Sequence, residues 1–210
     1  MKIVVFGASG KTGLLVVEEA LAKGYEVIAY VRTRESIKTD HPNLKVVVGQ
    51  LNEKDKLKSA IISSDACIST LGGTSLTKHS HEIIEGIDNI VSIMEEEKVK
   101  RFIYMSSYGA GNSRKYMSQP ARFIIVDLLL RIPMADHNTN ESRITKSQLQ
   151  WTIVRPGGLT NGPKTGKLKH GFEKTKLKGS SSISRSNVAI FLLNQVTSRD
   201  YENKSIWLHD

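Results

Sequence analysis

The junction at the head of the chain limits the fold more than any other stretch: Lys2 to Phe6, almost continuously apolar, runs straight into Gly7-Ala8-Ser9-Gly10-Lys11-Thr12-Gly13. A strand that is apolar at successive positions is covered on both faces, which is the environment of a parallel sheet with helices on each side. The pattern then changes period. Leu14, Leu15, Val17, Ala20 and Leu21 fall on one face of a helix predicted from about Lys11 to Lys23, and Gly24 ends it as a C-terminal cap.

The same alternation of short Val- and Ile-rich runs with helical patterns continues along the chain. Strands are predicted at Glu26 to Val31, Leu44 to Val48, Ala66 to Leu71, Arg101 to Ser106 and Trp151 to Arg155, with a terminal strand near Ile206. Helices are predicted around Asp55 to Ile61, His81 to Glu97, Ala121 to Leu130, Thr139 to Gln148 and Ser186 to Val196, with a loop from Gly109 to Pro120. No internal repeat or linker divides the chain. The expected architecture is α/β: a doubly wound parallel sheet (Rossmann fold) in three α/β/α layers. It forms one domain over 1–210, in which about 157–183 contribute a small C-terminal lobe on the substrate side.

A phosphate diester at a strand-to-helix turn needs close approach by backbone N–H groups and the positive end of a helix dipole, so the turn residues must be small. Gly7 permits the tight turn, Gly10 the approach of the backbone and Gly13 the close packing of helix on sheet. Lys11 lies in the same loop, and Ser9 and Thr12 add hydroxyls. The spacing is G-x-x-G-x-x-G, since Ala8 takes the second glycine position of the commoner pattern. A loop in this context is expected to bind the pyrophosphate of a nicotinamide dinucleotide.

At the end of the second strand, where an acidic residue would accept the adenosine ribose hydroxyls of NAD, the chain carries Arg32 and Arg34. Guanidinium groups suit a 2′-phosphate, so NADP(H) is the expected cofactor, with NAD(H) allowed. Gln50 and Leu51 after the third strand, and Thr70, Leu71 and Gly72 after the fourth, are expected to enclose the adenine and its ribose. Ser106 and Ser107 end the fifth strand nearer the nicotinamide, where each is as readily a plain loop hydroxyl as a catalytic one.

Composition bears mainly on partners. The net charge is +9, and part of the excess sits on Lys164, Lys167, Lys169, Lys174, Lys176 and Lys178, with Phe172 the only aromatic among them. Platforms for single-stranded nucleic acid interleave aromatics with cations, which argues against nucleic acid here and for a solvated loop. The loop could equally be a substrate lid or a docking segment. No apolar run reaches the roughly 18 residues of a membrane span, and the N-terminal apolar run ends without a small-residue cleavage site. With Cys67 as the lone cysteine, a core residue in the fourth strand, a cytoplasmic location is expected. His79 and His81 are two apart and share no helix face, so no metal site is expected. Asp136-His137 with Glu141 and Ser142 lacks a nucleophile elbow and is expected to serve as capping groups at a helix N-terminus.

Several segments together resemble the atypical short-chain dehydrogenase/reductase family, in its NAD(P)H-binding, NmrA-like branch that includes flavin reductase and biliverdin-IX beta reductase. The resemblance runs through Val4 to Gly13, Val31-Arg32, Val47-Val48-Gly49 and Ser106-Ser107. It continues through Trp151-Thr152-Ile153-Val154-Arg155-Pro156-Gly157-Gly158-Leu159 and Ile183 to Ala189. It implies that Pro156, Gly157 and Gly158 lie beside the nicotinamide and the substrate pocket.

Two positions depart from the pattern. Gln50 stands where the family usually has Asp, and no tyrosine is followed four residues later by lysine; Tyr116 is followed by Pro120. Without that Tyr-Lys pair, alcohol dehydrogenation and sugar epimerisation are disfavoured. What remains is reduction of a small conjugated acceptor, a flavin or quinone that is a substrate rather than a prosthetic group, or a non-catalytic redox sensor or scaffold. Monomer and homodimer are both compatible with the sequence.

Overall fold

A computed structural model describes residues 1–73, 75–166, 168–171 and 182–210. Lys167, Phe172, Lys174, Lys176 and Lys178 of the lysine-rich segment lie outside the described residues.

The chain alternates strand and helix as β1 (Lys2–Phe6), α1 (Lys11–Ala22), β2 (Glu26–Val31), β3 (Leu44–Val48), α2 (Lys54–Ile61), β4 (Ala66–Ser69), α3 (His81–Glu96) and β5 (Arg101–Met105). A one-turn α4 (Gln119–Ala121), a π-helical segment (Arg122–Leu129) and α5 (Arg131–Thr145) follow. The chain closes with β6 (Gln150–Pro156), β7 (Gly158–Thr160), β8 (Lys169–Gly171), β9 (Ser182–Ser184), α6 (Arg185–Asn194) and β10 (Lys204–His209).

The main sheet has the order β3-β2-β1-β4-β5-β6-β10-β8. Every pairing is parallel except β10 with β8. The chain winds outward from β1 to β3, then crosses to β4 on the other side of β1. The crevice between β1 and β4 is therefore the topological switch point, where doubly wound folds bind ligands at the carboxyl ends of the strands. β7 and β9 form a separate two-stranded parallel sheet.

Alternation along β1 explains its unbroken apolar run. Ile3 and Val5 enter the core shared with α1 and α6, beside Val16, Val17, Ala20 and Leu192. Val4 and Phe6 enter the opposite core with Leu57, Ile87, Ile90, Met94 and Ile144 of α2, α3 and α5. Each such fully buried side chain stabilises the fold by roughly 1.5–3 kcal/mol. Away from the crevice, buried Arg101 donates to the carbonyls of Gln195 at 2.9 Å and Gln150 at 2.8 Å, placing a cation at the C-terminus of α6.

Three expectations are corrected. The helix predicted from Thr139 begins at Arg131, because Pro133 sits in its first turn, where no intrahelical N–H bond is needed. The helix predicted over Ala121 to Leu130 is π-helical, and the loop before it contains a 3-10 turn at Gly111–Tyr116. The fourth and fifth strands stop at Ser69 and Met105, so Thr70-Leu71 and Ser106 belong to loops.

Candidate functional site

The glycine loop is built by close contact. Gly7 has φ +75°, a conformation costly for other residues, and a Cβ there would lie 2.9 Å from Thr70 Oγ1. The Thr70 hydroxyl donates to the Gly7 carbonyl at 3.1 Å, drawing the end of β4 against the loop. At Gly13 a Cβ would run into the Gly7 carbonyl oxygen and stand 2.9 Å from Ala8 Cα, so only glycine lets α1 begin this close to β1. Gly10 is the N-cap and supplies no side-chain acceptor, and the first turn holds no acidic residue. The first intrahelical bond runs from Leu14 N–H to the Gly10 carbonyl at 2.9 Å, which leaves the N–H groups of Lys11, Thr12 and Gly13 without helical acceptors. N–H groups left free in this way at a helix N-terminus suit an anionic group.

A cleft of about 600 Å³ opens from this loop. Gly7, Ser9 and Gly10 line it on one side, Val31 and Arg32 at the end of β2, Gly49 and Leu51 after β3, and Thr70 to Gly73 after β4. His79, Ser80 and the first residues of α3, including Ile83, complete the wall. Tyr30 contributes from within the sheet. Its ring tilts against Phe6 with centroids 5.5 Å apart, and its hydroxyl donates to the Gln50 carbonyl at 2.9 Å. Burial, with help from Glu53, pushes the Tyr30 hydroxyl up to about 12, so it stays protonated and acts as a fixed donor.

The expected cofactor residues separate on this geometry. Arg32 is exposed and lines the cleft, whereas Arg34 lies in a 3-10 turn and spends Nη1 on the Ile37 carbonyl at 2.9 Å. Leu51, Thr70, Leu71 and Gly72 line the cleft, but Gln50 does not; its N–H donates to Glu53 Oε2 at 2.6 Å. Ser106, Ser107, Pro156, Gly157 and Gly158 stand at the carboxyl ends of β5 and β6, outside the lined cleft. Ser106 is buried with no protein partner for Oγ, and Ser107 is half-buried. The Gly157 N–H donates to the Leu208 carbonyl at 2.9 Å.

Beside these strand ends α5 carries a polar network. Asn140 Nδ2 donates to the Tyr104 hydroxyl at 3.0 Å, and that hydroxyl is hydrogen-bonded to His137 Nδ1 at 2.9 Å. Burial drives the Tyr104 hydroxyl well above the ordinary tyrosine range and the His137 imidazole below its own. Glu141 and Arg155 form a buried bidentate pair at 2.9 and 2.7 Å, and Arg155 also donates to Asn112.

The capping role expected of Asp136 and His137 at the N-terminus of their own helix is corrected. Both lie inside α5, and Asp136 instead accepts the N–H of Ser80, the N-cap of α3, at 2.8 Å. Its second oxygen holds His79 Nδ1 at 2.5 Å. Sequence reasoning missed this pair because 56 and 57 positions separate its members and no local pattern joins them. Among the described residues, no group of three metal-ligating side chains is brought together. No described helix is long and apolar enough to cross a membrane.

The parallel sheet, its switch point and the glycine turn at the end of β1 define an α/β protein of the Rossmann class. The profile of the NAD(P)H-binding family matches residues 7–199, and the chain belongs to that family. An uncharacterised chloroplastic protein of Arabidopsis thaliana is 33% identical over 196 residues, covering 90% of this chain and 69% of the relative. Among solved structures, the anaerobillin reductase ChuY of Escherichia coli O157:H7 superposes with a TM-score of 0.82 at 23% identity, covering 100% of this chain and 97% of the other. A short-chain dehydrogenase/reductase of Veillonella parvula in complex with NADP gives 0.82 at 19% identity, covering 100% and 94%.

Proposed function

We propose that the chain is an NADPH-dependent reductase that passes hydride to a small conjugated acceptor of the flavin or quinone class. The observation that carries this reading is the cleft itself, with the uncapped N-terminus of α1 at its foot and the exposed guanidinium of Arg32 at the β2 end. The helix terminus would take the pyrophosphate and Arg32 the 2′-phosphate through a charge-assisted contact. Thr70, Leu71 and Gly72 would border the dinucleotide along β4, with Leu51 as an apolar wall of the adenine end. The bound cofactor supplies the hydride. The protein's share is to orient cofactor and acceptor and to exclude water.

Ser106, and with more exposure Ser107, would face the nicotinamide end, where the unsatisfied Ser106 Oγ would find its partner in ligand. Pro156-Gly157-Gly158 and the segment that follows would border the acceptor, in keeping with the flavin and biliverdin reductase branch that the sequence resembles. The naming of ChuY as a reductase and the NADP held by the Veillonella protein support the same assignment. A reducing cytoplasmic setting fits the single buried thiol, Cys67.

The test is single-turnover absorbance at the reduced-nicotinamide band, with FMN, riboflavin and a water-soluble naphthoquinone added in turn. Loss of the band with one of these is expected. Tight NADPH binding with no acceptor reduced would replace the reductase by a sensor that binds the cofactor and signals to a partner.

A further inference from the structure

We infer that His79 and Asp136 form a proton-donating pair at the acceptor end of the cleft; the inference rests on the reductase reading above. Asp136 is buried and both its oxygens are committed, Oδ2 to the Ser80 N–H at 2.8 Å and Oδ1 to His79 Nδ1 at 2.5 Å. A carboxylate accepts only, so Nδ1 carries a proton and the ring is held by that edge. His79 itself is 43% exposed and lines the cleft, which leaves Nε2, on the opposite edge of the ring, as its working nitrogen. The arrangement of a buried carboxylate fixing an imidazole whose second nitrogen faces a ligand space is that of a general acid.

Position in the sheet assigns the pair to the hydride end. Arg32 follows β2, whereas Asp136 comes from α5, which packs on α3 near β5 and β6, across β1 and β4 from Arg32. A dinucleotide with its 2′-phosphate at Arg32 and its pyrophosphate at the glycine loop extends its nicotinamide toward Asp136. Gly73 makes the close approach possible, since a Cβ there would strike Ser80 Oγ and lie 3.7 Å from Asp136 Oδ2. The His81 ring stands beside the imidazole, with centroids 5.9 Å apart, and Glu82 lines the same cleft.

The chemistry balances without a further reagent. The acceptor receives two electrons and one hydrogen as hydride from the dihydronicotinamide, which is oxidised. The negative charge left on an acceptor oxygen or ring nitrogen takes the Nε2 proton of the imidazolium. Nε2 then regains a proton from solvent, while the Asp136 carboxylate keeps Nδ1–H in place.

The alternative is that Asp136 merely caps α3. Asp136→Asn separates the two, because the amide oxygen still accepts the Ser80 N–H while the amide nitrogen can only donate to His79 Nδ1. Long-range ¹H–¹⁵N spectra of the cofactor-free protein should show neutral His79 as the Nδ1–H tautomer, changed to Nε2–H in Asp136→Asn. His79→Gln and Asp136→Asn should lower turnover of the active acceptor by about 100-fold, with NADPH affinity changed by less than about threefold. Added imidazole should restore part of the activity of His79→Gly. Wild-type turnover in His79→Gln, or a tautomer indifferent to Asp136→Asn, would overturn the pair while leaving the reductase intact. A wild-type protein that binds NADPH and reduces none of the three acceptors would overturn the reductase and the pair together.

Discussion

At the scale of single residues, the site depends on a few positions where one added atom has nowhere to go. Gly13→Ala places a methyl group against the Gly7 carbonyl and Ala8 Cα, so α1 must move away from β1. The expected cost is about 1–3 kcal/mol in urea unfolding, with loss of NADPH binding as the loop opens. Another residue-scale consequence concerns pH. Burial lowers the His137 imidazole, so the unfolded chain binds more protons as pH falls through the ordinary histidine value. Stability associated with this group is present above that value and lost as pH falls toward the lower folded one. Urea midpoints measured from pH 7.5 to 5 should therefore drop less steeply in His137→Gln than in the wild type. Cys67 is fully buried and its thiol is pushed up to about 12, so alkylation should require unfolding.

At the scale of elements, legibility in the sequence followed periodicity. β1, β2, β3, α1 and α3 appear within a residue or so of their expected limits, because apolar alternation and helical spacing are local properties. The segment between β5 and β6 was harder to read. Pro133 is accommodated in the first turn of α5, so the Thr139 start expected from the sequence lies well inside the helix, and nothing local distinguishes the π-helix of Arg122–Leu129 from an α-helix. In that segment Val126 is the buried contact, packed against Gly109, whereas Phe123 and Leu128 are 65% and 67% exposed. Val126→Ala is expected to destabilise by about 1–2 kcal/mol in urea unfolding. Phe123→Ser should change stability by less than about 0.5 kcal/mol. Equal losses for both would mean that the apolar face is packed after all.

At the scale of the whole molecule, the switch between β1 and β4 brings together loops that are remote in sequence, and this limits what any sequence can show of the site. The glycine loop and the end of β2 could be placed from the chain alone, since each follows directly from the apolar run of a strand. The division of labour between Arg32 and Arg34 could not, because it turns on a one-turn helix that points Arg34 at Ile37. The His79–Asp136 contact was equally hidden, as it depends on α5 folding over the loop before α3.

The most direct test of this account is calorimetric titration of NADPH and NADH into the wild type, Arg32→Ala and Arg34→Ala. Loss of a charge-assisted phosphate contact amounts to about 1.5–3 kcal/mol, so Arg32→Ala should weaken NADPH by roughly 10- to 100-fold. NADH affinity should be unchanged in both variants, and Arg34→Ala should have the smaller effect on NADPH. Equal losses of NADPH and NADH in Arg32→Ala, or a wild type that binds neither, would contradict it.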